Sequence, residues 1–271
     1  MGVLTGSVPE GDGLVRIIDP AATCGVDRGS LRRASYIPGV LTAHERRDEL
    51  KAVWNQARAC TRCPQLAAGR TTVVFGSGNA DADLMFVGEA PGANEDKQGI
   101  PFVGQAGRLL DTLLGEIGLT RSDVFVTNVL RCRPPGNRDP LPQEIENCQE
   151  YLWRSLELIA PRVVCTLGNF ATKLLRSDPA TGITRLHGRE EIRTLGPRTV
   201  RLYPLYHPAA ALYTPAMLEI LRTDFHRIPG LVALEPPPQP EPEELEPVVP
   251  EPEIAVEVAE APPEPAQLGL F

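Results

Sequence analysis

The sequence predicts an α/β fold: a three-layer α/β/α sandwich around a central, mostly parallel four-stranded sheet. Two observations carry this. Short apolar runs of strand length recur along the chain, and stretches of helical composition separate them. A parallel sheet covered on both faces is the arrangement that buries every one of those runs. Composition agrees, since 42% of the residues are hydrophobic but only 5% aromatic, which describes a sizeable aliphatic core.

The apolar runs lie at 84–88, 124–128, 163–167 and 202–206. Helical stretches occupy 105–117, 142–159 and 169–176, and a further one at 216–227 follows the last strand. Upstream, residues 43–59 have helical spacing and lead directly into Cys60-Thr61-Arg62-Cys63-Pro64. In such sheets ligands bind beyond the carboxyl ends of the strands. That rule lines up Glu89, Asn128, Gly168 and His207 along one edge. Residues 1–40, rich in Gly, Pro and small polar types, read as a flexible arm, and 41–230 as the folded domain. Residues 231–266 read as a Pro/Glu-rich tether and 267–271 as a separate terminal peptide.

The net charge of −8 argues against a nucleic-acid partner until it is located. Residues 235–271 hold ten Glu and no Lys or Arg, so the rest of the chain carries 27 basic against 25 acidic residues. The acidity belongs to the tail, and the domain can still present a basic face to phosphates. No apolar run is long enough to cross a bilayer, and the first residues lack a secretory pattern. A cytoplasmic chain without membrane contact is expected, in which disulfides are disfavoured.

That leaves the cysteines for metal, cluster or burial. Cys60 and Cys63 form a tight CxxC pair, while Cys132 and Cys148 stand singly far downstream. Four thiolates suit tetrahedral zinc or a [4Fe–4S] cluster, and isolated buried thiols are the plain alternative. One tight pair and two single ligands lean toward the cluster. Cys165, in mid-strand, reads as core, and Cys24 receives no role.

The chemistry-bearing segments are Gly88-Glu89-Ala90-Pro91-Gly92-Ala93-Asn94-Glu95-Asp96, followed by Gly99-Ile100-Pro101-Phe102-Val103-Gly104-Gln105, then Asn128-Val129-Leu130-Arg131-Cys132-Arg133-Pro134-Pro135 and His207-Pro208-Ala209-Ala210-Ala211-Leu212. Taken singly, each has a structural explanation: a tight loop, a core Phe, a capping Asn, a loop His. Together, and in this order with the four cysteines, they resemble the family 4 uracil-DNA glycosylases, the iron–sulfur, thermostable-type branch of the uracil-DNA glycosylase superfamily. The resemblance spans about Ala52 to Arg227.

The resemblance implies a monofunctional glycosylase that flips uracil out of DNA and hydrolyses its N-glycosidic bond in base excision repair. Glu89 would position or activate the attacking water, Asn128 would read the uracil edge, and His207 would stabilise the leaving base. Gly88, Ala90, Glu95 and Phe102 would bind the base, with Phe102 stacking on it and Glu95 helping to exclude a thymine methyl. Leu212 would fill the gap in the duplex. Cys60, Cys63, Cys132 and Cys148 would hold a structural [4Fe–4S] cluster, with no catalytic metal. Tyr213 stands where many relatives carry a basic residue, and this departure puts one phosphate contact in doubt. The alternatives are a catalytically silent, clamp-tethered DNA binder and a cluster-based redox protein on the same fold.

The terminal Gln267-Leu268-Gly269-Leu270-Phe271 resembles the peptide by which bacterial repair proteins dock on the sliding clamp. Gln267, Leu268, Leu270 and Phe271 would supply the anchors on a flexible tether. The chain is expected to be a monomer in the bacterial cytoplasm, associated with the nucleoid.

Overall fold

A computed structural model describes residues 41–240. The arm with Cys24, the tether past residue 240 and the terminal peptide with Gln267, Leu268, Leu270 and Phe271 lie outside the described residues.

The sheet has six strands in the order β1-β3-β2-β4-β6-β5. Its four central strands are those expected from the apolar runs: β2 (Leu84–Gly88), β3 (Phe125–Asn128), β4 (Val163–Leu167) and β6 (Arg198–Leu205), paired in parallel. β2, β3 and β4 are buried along their whole length, as the core of a sheet covered on both faces must be. Two antiparallel edge strands complete it, β1 (Ser77–Gly78) and β5 (Glu191–Leu195). The four-stranded expectation omitted both because neither is an apolar run. β1 is a two-residue pairing. β5 alternates side chains between solvent and sheet and carries charge, as edge strands do.

Side-chain alternation along the strands sorts the core into two halves. Met85, Val87 and Val164 face α1 (Ala43–Arg58), α5 (Pro142–Ile159) and α6 (Asn169–Arg176). Leu84, Phe86, Val163, Cys165 and Leu167 face α4 (Gln105–Glu116), α8 (Pro208–Ala211) and α9 (Pro215–Ala233). These are the three layers. Cys165 is a core residue of the second half, near the stacked rings of Phe86 and Phe225, whose centroids are 5.8 Å apart. Short helices α2 (Pro64–Gly69), α3 (Ala93–Gln98) and α7 (Ile183–Leu186) fill the connections. α9 runs on to Ala233, past the expected end at Arg227. No helix among the described residues is long and apolar enough to cross a membrane.

Local chemistry explains where the helices begin. Thr42 caps α1: its Oγ1 accepts from the Glu45 N–H at 3.2 Å, while Glu45 Oε2 accepts from the Thr42 N–H at 2.7 Å. α5 opens on Pro142, and the Glu144 carboxylate accepts from the Leu141 N–H at 2.9 Å. α4 opens against the loop before it. There the Gly107 backbone lies so close to Phe102 that a Cβ would stand 1.7 Å from the Phe102 carbonyl oxygen.

Gly107→Ala should therefore push α4 off the Phe102 loop. A loss of about 1–3 kcal/mol in unfolding free energy, typical of forced overpacking, is expected as a lower urea midpoint with unchanged slope.

Candidate active site

The strand register assembles the site. Gly88 of β2 pairs with Asn128 of β3, and the pairing continues past both strands through Val129 N–H to Gly88 O (2.9 Å) and Leu130 N–H to Glu89 O (3.0 Å). Leu167 pairs with Leu205, and the Gly168 N–H donates to Leu205 O at 2.9 Å. Glu89, Asn128, Gly168 and His207 consequently share one edge, as the strand-end rule requires. A cavity of about 530 Å³ opens there, and Glu89, Ala90, Glu95, Phe102, Asn128 and His207 are all in its wall.

Gly88 lies beneath this cavity. A Cβ on it would stand 2.5 Å from Asn128 Oδ1 and 2.6 Å from the Phe102 ring, so only glycine lets the two side chains converge. Asn128 is 2% exposed. Phe102 adopts a left-handed backbone (φ 55°), unusual for an aromatic residue. It is held there from several sides. Glu95 Oε1 accepts from the Val103 and Gly104 N–H groups, each at 2.9 Å, and Arg121 Nη2 donates to Phe102 O at 2.9 Å. The Phe102 ring stacks with His207, centroids 5.7 Å apart.

His207 caps α8 with its side chain: the Ala209 N–H donates to Nδ1 at 3.1 Å. Burial pulls its pKa down to about 4, with the Glu95 carboxylate opposing. The imidazole is therefore neutral at physiological pH, and because Nδ1 accepts, the proton sits on Nε2 as a donor. Burial raises the Glu89 carboxyl above its ordinary range, and the neighbouring Asp139 charge adds to this. Glu89 and His207 also line a second cavity of about 780 Å³, together with Asn169, Phe170 and Lys173.

Leu212 is half-buried at the end of α8 and outside the wall of the first cavity, beside Tyr213, which is 83% exposed. Sequence reasoning missed a further wall from the loop after β3, formed by Pro134, Asn137 and Arg138, and the charged neighbour Asp139. The run Pro134-Pro135-Gly136-Asn137-Arg138 was the available signal. It makes a tight 3₁₀ turn with positive φ at Gly136 and Asn137, and Arg138 is then braced on Glu144 at 2.6 and 2.9 Å.

On the other side of this loop, Cys60, Cys63, Cys132 and Cys148 line a single small cavity. They come from the end of α1, the start of α2, the loop after β3 and the body of α5. Donors reach all four sulfurs: Arg70 Nη1 to Cys132 at 3.2 Å, the Arg131 N–H to Cys148 at 3.3 Å, Asn147 Nδ2 to Cys63 at 3.6 Å, and Arg62 and the Tyr151 hydroxyl to Cys60. A set of thiols facing inward, with donors directed at their sulfurs, suits an anionic thiolate-held group.

The model for the uracil DNA glycosylase superfamily matches residues 75–226. The chain is 44% identical over 185 residues to the type-4 uracil-DNA glycosylase of Sulfurisphaera tokodaii, covering 67% of this chain and 84% of the relative. It is 45% identical to that of Archaeoglobus fulgidus, covering 67% and 92%. With that of Saccharolobus solfataricus it shares 42% identity, covering 70% and 89%. The matched region contains Glu89, Phe102, Asn128 and His207 around one cavity, and the chain belongs to the uracil-DNA glycosylase superfamily, in its type-4 branch.

Proposed function

We propose that the protein removes uracil from DNA by hydrolysing the N-glycosidic bond, leaving an abasic site for base excision repair. The observation that carries this reading is the convergence of Glu89, Asn128 and His207 on one cavity beside the Phe102 ring.

A flipped uracil stacked on Phe102 presents its polar edge to Asn128, whose amide offers a donor and an acceptor on one plane. As the bond between C1′ and N1 breaks, electrons pass to the base and positive charge develops on the sugar. The neutral His207 donates from Nε2 to the uracil oxygen that gains charge, without having to lose a proton of its own. The Glu89 carboxylate opposes the sugar charge and orients the water; as the water oxygen bonds to C1′ its proton passes to the carboxylate, and the departing uracil anion is neutralised by a proton from the site or solvent. Ala90, Gly88 and Glu95 shape the base pocket, with Glu95 bracing the Phe102 loop against bases bulkier than uracil. Leu212 and the exposed Tyr213 belong to the duplex side, where Leu212 takes the space of the extruded base. A non-catalytic DNA binder or a redox protein would have no use for this arrangement of acid, amide and neutral imidazole.

Cys60, Cys63, Cys132 and Cys148 are assigned to a structural [4Fe–4S] cluster, which when bound crosslinks α1 and α2 to the loop after β3 and to α5. No step of the hydrolysis passes through it.

The terminal peptide is assigned to the sliding clamp. Gln239 Nε2 donates to Thr199 O at 2.9 Å, and Gln239 Oε1 accepts from the Thr199 N–H at 3.2 Å. Thr199 is near the start of β6, whereas His207 follows its end. Gln239 thus lies at the end of the sheet away from the cavity.

On uracil-containing oligonucleotides, single- and double-stranded, the protein should produce alkali-labile sites. Asn128→Ala should slow excision by about 10²-fold or more with an unchanged thermal transition. An active Asn128→Ala would remove its assigned role, and an inactive parent would remove the function. In a single-turnover pH profile between about pH 4 and pH 8, activity should fall as pH drops through the Glu89 pKa, above the ordinary carboxylate value of about 4.3. No limb should occur near the ordinary imidazole value of about 6.5, because His207 protonates only near pH 4. Glu89→Gln should lower the rate and abolish the acid limb. Deleting residues 267–271 should abolish clamp binding in a pull-down with purified clamp and leave oligonucleotide excision unchanged.

A further inference from the structure

Arg131 is among the most deeply buried side chains of the described residues, at 1% exposure. An arginine in that position needs both hydrogen-bond partners and a compensating charge. Only part of this need is met by the protein. Its Nη1 donates to the backbone carbonyl of Asn128, and its guanidinium lies over the Phe75 ring, 5.3 Å from the centroid. Nε and Nη2 have no partner, and among the described residues no carboxylate pairs with it. The titratable groups that face it are the Cys132 and Cys148 thiols and the Tyr151 hydroxyl. Arg131 itself is part of the wall of the cavity that the four cysteines line. The residue therefore spans two sites: one end on the strand terminus that presents Asn128, the other at the thiols.

We propose that Arg131 is a positioning residue that couples the two. It is the buried counter-cation of the anionic group held by Cys60, Cys63, Cys132 and Cys148, and with that charge in place it fixes the Asn128 carbonyl and so the aim of the Asn128 amide into the uracil cavity. The unpartnered Nε and Nη2 nitrogens are the donors left for the thiolate sulfurs or the group they hold. This inference rests on the proposed roles of Asn128 and of the cysteine site. It adds a reason for the thiol site to stand beside the base-reading strand: the charge it carries is used to orient a recognition group, while chemistry stays at Glu89 and His207.

The test uses the full chain with Arg131→Met, Arg131→Gln and Arg131→Lys. Iron and acid-labile sulfide are measured, and bleaching of the visible absorbance under a mild oxidant is followed in time. In parallel, equilibrium affinity is measured for a duplex carrying a non-hydrolysable 2′-fluoro-uracil nucleotide and for the same duplex with cytosine. Their ratio reads the Asn128 amide without any turnover. Arg131→Met should lower the uracil-over-cytosine ratio about tenfold, the size expected for one hydrogen bond to a charged group, and speed bleaching. Arg131→Gln, which keeps a donor and loses the charge, should also bleach faster, and it carries the test if the Met variant does not fold. Arg131→Lys should restore resistance to bleaching. In an Asn128→Ala background, Arg131→Met should cause no further loss of discrimination, because both act through one group. Parental bleaching in the Met and Gln variants, or losses that add in the double variant, would overturn the coupling. A parent that does not prefer uracil would refute the function itself, and the coupling with it.

Discussion

The site depends on one backbone register, the parallel pairing that sets Gly88 opposite Asn128 and continues through Val129 and Leu130. Because side chains alternate along a strand, a one-residue slip would turn Asn128 away from the cavity and expose half of the core. The two-sided burial of β2 and β3 makes such a slip costly, so the stability of the sheet and the direction of the Asn128 side chain are the same constraint. Gly88 adds a local condition, since its missing Cβ is the space in which Asn128 and Phe102 meet.

The Phe102 loop is arranged on the same logic at higher local cost. A left-handed aromatic residue persists only where its surroundings over-determine it. Here Glu95, Arg121 and the close backbone of Gly107 act together on a few consecutive peptide groups. Two of these are charged residues whose hydrogen bonds to the loop backbone hold the Phe102 ring in the cavity wall. His207 completes the surface as a neutral donor, kept so by burial and by the N–H it accepts from Ala209.

Charge is partitioned along the chain in a comparable way. The acidic residues that dominate the net charge lie in the C-terminal segment, and the domain itself is close to balance. That segment's charge is of the same sign as phosphate, so the net charge of the whole chain says nothing against a nucleic-acid partner for the domain.

The sequence by itself determined the central architecture and the order of the site. Apolar runs of strand length that alternate with helical stretches argue for a covered parallel sheet, and the residues at their carboxyl ends then fall on one edge, which is why Glu89, Asn128 and His207 could be aligned from spacing. The cysteines were legible as a set by their spacing and residue type. The edge strands β1 and β5 were not, because short or charged strands carry no burial pattern and exist only by pairing with a neighbour already in place. Tertiary structure alone decided the positive φ of Phe102, the wall contributed by Asn137 and Arg138, the protonation of His207 and the position of Arg131 between the thiols and Asn128. Each of these depends on distances between residues far apart in the chain, or on how much water is excluded around a charge, and neither quantity is written in local composition.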